Sequence, residues 1–265
     1  MTCHRASQED RDRRRTMTMM RSGCVAALVL SLCFGAAPVS AAPVIDAGAA
    51  ECTSNLAPEV TPPLAVETEP ILPLEVRVMV EAGDLAAAKE HLAVTRGAFE
   101  RIGIKLKVRY DVVVPPGTWG AGFLNEPSGD EIFAFMKDHY GGARPAGVDL
   151  VYFMTRHWSG GMADCVGGVR SPESAFAFGS MDYKIAGLTE VPTADEGVIA
   201  AHELGHLLGA HHHYSNCTEA LPSGALRGDF NPCTTMSPAA ATASSTFGLL
   251  ERSFVRYYVE QYAKG

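Results

Sequence analysis

Three features of the chain predict an α/β domain built on a mixed, twisted sheet with packed helices. Residues 74–155 run strand, helix, strand, helix, strand. The third of those strands is apolar throughout, as a strand covered on both faces is. And a serine or threonine followed three residues later by glutamate, the pattern of a capping box, opens a helix twice.

"LEVRVMVEAG" (74–83) alternates apolar and polar residues, the period of a half-buried strand. After Gly83, "DLAAAKEHLAVTRGAFERIG" places Leu85, Ala88, Leu92, Thr95 and Phe99 on one face at helical spacing, and Gly103 closes the helix. "IKLKVRYDVVVP" (104–115) alternates again as a second strand. Ser128 with Glu131 starts a helix through "EIFAFMKDHY", and "GVDLVYFMT" (147–155) is the apolar strand. "SAFAFGSMD" (174–182) reads as a short edge strand. Thr193 with Glu196 starts a helix through "ADEGVIAAHELGHLL", and "FGLLERSFVRYYVEQYAKG" (247–265) closes the chain as an amphipathic helix.

The N-terminal part has another character. A basic run is followed by an apolar core from Val25 to Phe34 and by small residues up to Ala41, which predicts a secretory signal peptide over residues 1–41. Its apolar core is too short to span a bilayer, so no stable membrane insertion is expected. The basic region is long, and Met17, Met19 and Met20 are alternative starts. Residues 42–73 are acidic, rich in Ala and Pro and without periodicity, which predicts a linker or short pro-segment ahead of a domain over 74–265. An exported chain would be secreted or periplasmic.

Charge and cysteine content narrow the function classes. The full chain has 22 basic and 30 acidic residues, and residues 1–41 hold six and three of them; the remainder has 16 and 27, a net charge of −11. Such a surface repels phosphate backbones, which argues against nucleic acid as a partner. Cys3, Cys24 and Cys33 fall in the leader, leaving Cys52, Cys165, Cys217 and Cys233, an even number that favours disulfides in an exported chain. Spacing alone leaves three pairings open.

The chemistry concentrates in "AAHELGHLLGAHHHYS" (200–215). His202 and His206 are four apart, so they project from one helix face and can share a tetrahedral metal ion. Glu203 stands beside the first of them, where its carboxylate can reach a metal-bound water rather than the metal. Gly209 permits a left-handed residue that ends the helix and turns the chain back. In the pattern His202-Glu203-x-x-His206-x-x-Gly209-x-x-His212, the middle histidine of the triplet is the third ligand, and His211 and His213 are loop residues. Downstream, "NPCTTMSP" sets Met236 in a tight, Pro-flanked stretch. His157 and Trp158, after the third strand, read as loop residues shaping the rim of a cleft.

With the extended histidine motif and Met236 in place, the chain resembles the metzincin zinc endopeptidases, most closely the adamalysin or reprolysin-like branch, over about residues 74–265. The resemblance takes in the Gly-rich passage "GGMADCVGGVR" (160–170). It implies a metzincin-type catalytic domain with one catalytic Zn2+ held by His202, His206 and His212, and Met236 as the Met-turn, an apolar floor beneath them. It also implies a Cys217–Cys233 disulfide and an extended peptide bound along the edge strand near residues 174–180. Two departures stand out: His213 replaces the aspartate usual after the third histidine in that branch, and Pro238 stands where astacin-like and serralysin-like relatives place a tyrosine ligand.

The implied reaction is peptide-bond hydrolysis by a zinc-activated water with Glu203 as general base, on a protein or peptide substrate, by a chain expected to be monomeric. Small residues in "SPAAATASS" (237–245) suggest an S1′ pocket with room for an apolar side chain. The alternative from another class is a secreted binding module with a structural zinc, for which Cys217 could supply a fourth ligand. Cys52 has two readings as well: a disulfide with Cys165, or a latency thiol in the pro-segment.

Overall fold

The computed structural model describes residues 70–120, 125–182, 196–212, 233–237 and 244–263. The signal peptide, most of the expected linker, Cys52, Thr193, His213 and Cys217 lie outside the described residues.

The alternating first strand forms β1 (Leu72–Glu81), followed by helix α1 (Leu85–Glu100) and β2 (Ile104–Val113). Then come α2 (Gly129–His139), β3 (Leu150–Thr155), a short β4 (Gly161–Ala163), and β5 (Phe176–Ser180). Helix α3 (Glu196–Leu207) carries the histidine motif, and α4 (Leu249–Tyr262) closes the chain. The first strand starts two residues earlier than its alternation predicts: β1 begins at Leu72, because Leu72 and Pro73 already pair in register with Ile104 and Lys105.

Among the described residues the sheet has five strands in the order β2-β1-β3-β5-β4. β1 runs parallel to both β2 and β3, β3 is parallel to β5, and β4 alone is antiparallel. The chain steps from β1 to β2 through α1 and returns over β1 to β3 through α2. The two helices pack on opposite faces of the sheet, as two right-handed crossovers in opposite directions would place them.

The core divides accordingly. One face of the sheet gives Val76, Val78 and Val80 of β1 and Leu150, Tyr152 and Met154 of β3 to a core shared with α1, α3 and α4. The other gives Met79, Val151, Phe153, Phe176 and Phe178 to a smaller core under Ile132, Phe133 and Met136 of α2. On α1 the buried residues are Ala88, Leu92, Thr95, Ala98 and Phe99, the face predicted from spacing, and Thr95 Oγ1 donates to Gly197 O at 2.8 Å, tying α1 to the metal-motif helix. The Ser128–Glu131 capping box is formed in both directions.

One strand differs from expectation. Residues 176–180 are not the edge: β5 pairs with β3 on one side and β4 on the other, and all five of its residues are buried. Among the described residues the edge on this side is β4, from the Gly-rich passage. Its three residues are too few for an alternating pattern to be visible, so periodicity could not distinguish it from a loop.

Candidate metal centre

Helix α3 brings His202 and His206 to one face, and both side chains are buried. At the helix end Gly209 adopts φ +80°, the left-handed conformation that its missing Cβ makes cheap. Gly209 N donates to His206 O at 2.9 Å and Ala210 N to Gly205 O at 3.0 Å, the paired bonds of a glycine-terminated helix. Three residues later His212 reaches back. Its Nε2 lies 3.1 Å from His202 Nε2 and 3.2 Å from His206 Nε2, and the latter two are 3.0 Å apart.

These close approaches are not hydrogen bonds. His202 Nδ1 donates to Thr235 O at 2.8 Å and His206 Nδ1 to Ala210 O at 2.7 Å, which assigns the proton of each neutral ring to Nδ1. Their Nε2 atoms therefore present lone pairs to each other, a repulsive arrangement that a shared cation relieves. Nitrogens held at about 2.0–2.1 Å around a tetrahedral Zn2+ lie about 3.3 Å apart, so the observed triangle fits that ion with little adjustment. Among the described residues, these three histidines form the group able to hold a metal, and His211 is not in it.

Glu203 is fully buried beside the cluster. It packs under the edge strand: a Cβ on Gly161 would stand 2.5 Å from Glu203 Oε1 and 2.7 Å from its Cγ. Gly161 is paired with Gly179, whose missing side chain leaves room for the Tyr152 hydroxyl and Ile199. Burial pushes the Tyr152 hydroxyl well above its ordinary pKa, and the charges of Glu203 and Glu196 add to that.

Met236 is fully buried in a turn closed by Ser237 N to Thr234 O at 3.1 Å. A Cβ on Gly205, between the two helical histidines, would meet Met236 Sδ at 2.7 Å, so the sulfur lies directly against the helix below them. The preceding residue supplies the carbonyl that orients His202. This turn is anchored in its own right, since Thr234 Oγ1 and Gly248 N both donate to the Glu251 carboxylate at the start of α4, at 2.7 and 2.6 Å.

His157 is held by contacts on both ring nitrogens: its Nδ1 meets Gly120 O at 2.6 Å and its Nε2 lies 3.4 Å from Glu81 Oε2. Trp158 packs edge-on against Phe178. Cys165 and Cys233 each take part in a disulfide. Sequence reasoning had missed Thr235, Ala210, Gly161 and Gly205. The first two act through backbone carbonyls, which carry no residue signature; the glycines were visible only as a composition.

Residues 87–213 match the model for metallo-peptidase family M12B, reprolysin-like, a span that starts in α1 and ends just past the third histidine. No curated protein shows significant sequence similarity to the chain. Among solved structures, the chain is similar to metalloproteinase-II from Bacteroides fragilis (13% identity, TM-score 0.46, 72% of this chain and 55% of that one). It is also similar to archaemetzincin from Methanopyrus kandleri (13% identity, TM-score 0.45, 71% of this chain and 96% of that one). A third is a zinc-dependent peptidase from Methanocorpusculum labreanum (16% identity, TM-score 0.40, 68% of this chain and 99% of that one). The chain thus spans little more than half the length of the Bacteroides protein. Residues 87–213 are thus similar to the reprolysin-like metallo-peptidases of family M12B, and the three histidines able to hold a metal ion lie at the end of that segment.

Proposed function

We propose that this chain is an exported zinc-dependent endopeptidase in which His202, His206 and His212 hold one catalytic zinc and Glu203 is the general base. The observation that carries the reading is the placement of Glu203: fully buried next to His202, with its carboxylate pressed against Gly161 of the edge strand. A structural zinc needs a fourth protein ligand and no base, and gives no task to a buried carboxylate there.

Zinc, when bound, lowers the pKa of a water in its open position to about 7 and polarises the scissile carbonyl. The residues of the chain do the rest. Glu203 takes a proton from the attacking water and passes it to the leaving amine as the peptide bond breaks. The Thr235 and Ala210 carbonyls keep His202 and His206 in the tautomer with bare Nε2 atoms. Among the described residues β4 is paired on one side, and an extended peptide adding to it would lie beside Glu203.

Export through residues 1–41 belongs to the same proposal, as does a Cys217–Cys233 disulfide, which sequencing of non-reduced peptides would test. The deciding experiment pairs zinc quantification with a generic protein-cleavage assay. Glu203→Ala is expected to keep zinc and lose hydrolysis; cleavage at an undiminished rate would refute the role of Glu203.

A further inference from the structure

Two glycines from different parts of the chain meet at the back of the metal centre. Gly209 ends α3 at φ +80°, and Gly167, in the loop after β4, has φ +82°. Both amides donate to the same acceptor, the carbonyl of His206, at 2.9 Å from Gly209 and 2.8 Å from Gly167. Both also present their bare Cα to one ring, that of Tyr258 on α4. A Cβ on Gly209 would overlap Tyr258 Cε2 and stand 2.7 Å from Cδ2 and 2.8 Å from Cζ. One on Gly167 would meet Cε1 at 3.0 Å and the hydroxyl oxygen at 3.3 Å. The ring is therefore seated in a slot that exists because neither residue has a side chain.

We propose that Tyr258 is a positioning residue for the metal centre: its ring, seated on Gly209 and Gly167, holds the turn that orients His206 and delivers His212. The path is short. Gly209 is followed by Ala210, whose carbonyl accepts from His206 Nδ1 at 2.7 Å, and two residues further on stands His212. Without the ring the turn can move, the bond from His206 Nδ1 to Ala210 O loosens, and the third nitrogen is no longer fixed 3.1–3.2 Å from the other two. Tyr258 itself is held: its ring packs against that of Tyr262 at 5.4 Å, and the Arg170 guanidinium covers Tyr262 at 5.2 Å. This inference rests on the zinc reading of the three histidines.

The test measures zinc affinity by chelator competition and thermal stability of the metal-free protein, on the full chain and its variants. Tyr258→Ala is expected to weaken zinc binding by about 10- to 100-fold, the usual effect of losing a residue that orients a ligand. Tyr258→Phe keeps the ring and is expected to keep the affinity. Val255→Ala, one turn earlier and fully buried, is expected to lower the melting temperature while leaving zinc affinity unchanged. Tyr258→Leu, with apolar bulk but no flat ring, is expected to weaken zinc as well and serves if the alanine variant does not fold. Wild-type affinity in Tyr258→Ala or Tyr258→Leu, equal loss in Val255→Ala, or failure of Tyr258→Phe to hold zinc would overturn the proposal alone. A wild-type chain that takes up no zinc would overturn the metal reading together with it.

Discussion

Replacing Gly161 by alanine adds one methyl group, and the structure states what it would strike. The new Cβ would lie 2.5 Å from Glu203 Oε1, 2.7 Å from Glu203 Cγ and 2.8 Å from Ile199 Cγ2. Ordinary carbon contacts are about 3.5–4.0 Å, so one side must yield by about 1 Å. Ile199 and Glu203 are both buried on α3, and the backbone of β4 is tied to β5, so Glu203 is displaced or the strand is pushed outward. Gly161 is not among the positive-φ glycines, so backbone strain adds nothing to the methyl's effect. A misplacement of about 1 Å in a catalytic group costs about 100-fold in rate, and overpacking costs about 1–3 kcal/mol in stability. The assay reads kcat/KM on a generic peptide, zinc per chain and the melting temperature. Turnover should fall about 100-fold with zinc near one equivalent. Gly117→Ala, at a glycine with nothing within 4 Å, should change none of the three. Full turnover by Gly161→Ala would mean that the carboxylate need not stand where the structure holds it.

Three further outcomes follow from the same contacts. Met236→Ala empties a fully buried site against Gly205 and should destabilise the domain by about 2–5 kcal/mol in denaturant melts, whereas Met236→Leu should cost less than about 1.5 kcal/mol. Ser128→Ala removes the hydroxyl that accepts from Glu131 N and should cost about 0.5–2 kcal/mol, with peptidase activity at wild-type level. Gly209→Ala forces a side chain into a left-handed turn and onto the Tyr258 ring, and should strip zinc at chelator concentrations the wild type resists.

Much of this was legible in the residues, for identifiable reasons. Ten-residue strands such as β1 and β2 and the sixteen-residue α1 are long enough for their periods to show. The Ser128 capping box is a local device whose two halves lie three residues apart, and it formed as read. Fixed spacing along a helix and a glycine turn brought His202, His206 and His212 together. What was not legible is long-range. β4 has three residues and becomes a strand by pairing with β5, so β5 was misread as the edge. Thr235, 33 residues from His202, supports it through a carbonyl that every residue possesses. The nearness of Gly161 to Glu203, and of Tyr258 to Gly209, depends on how layers pack, and no sequence interval encodes it.

The most direct measurement is zinc stoichiometry, by native mass spectrometry, of the wild type and of His211→Ala and His212→Ala side by side. The wild type should carry one zinc and His211→Ala should retain it, because His211 stands outside the converging triad. His212→Ala should lose most of its zinc, since it removes one of three Nε2 atoms lying within 3.0–3.2 Å of one another. If His212→Ala kept a full equivalent while His211→Ala lost it, the ligand register would be wrong, and the account of the site built on it with it.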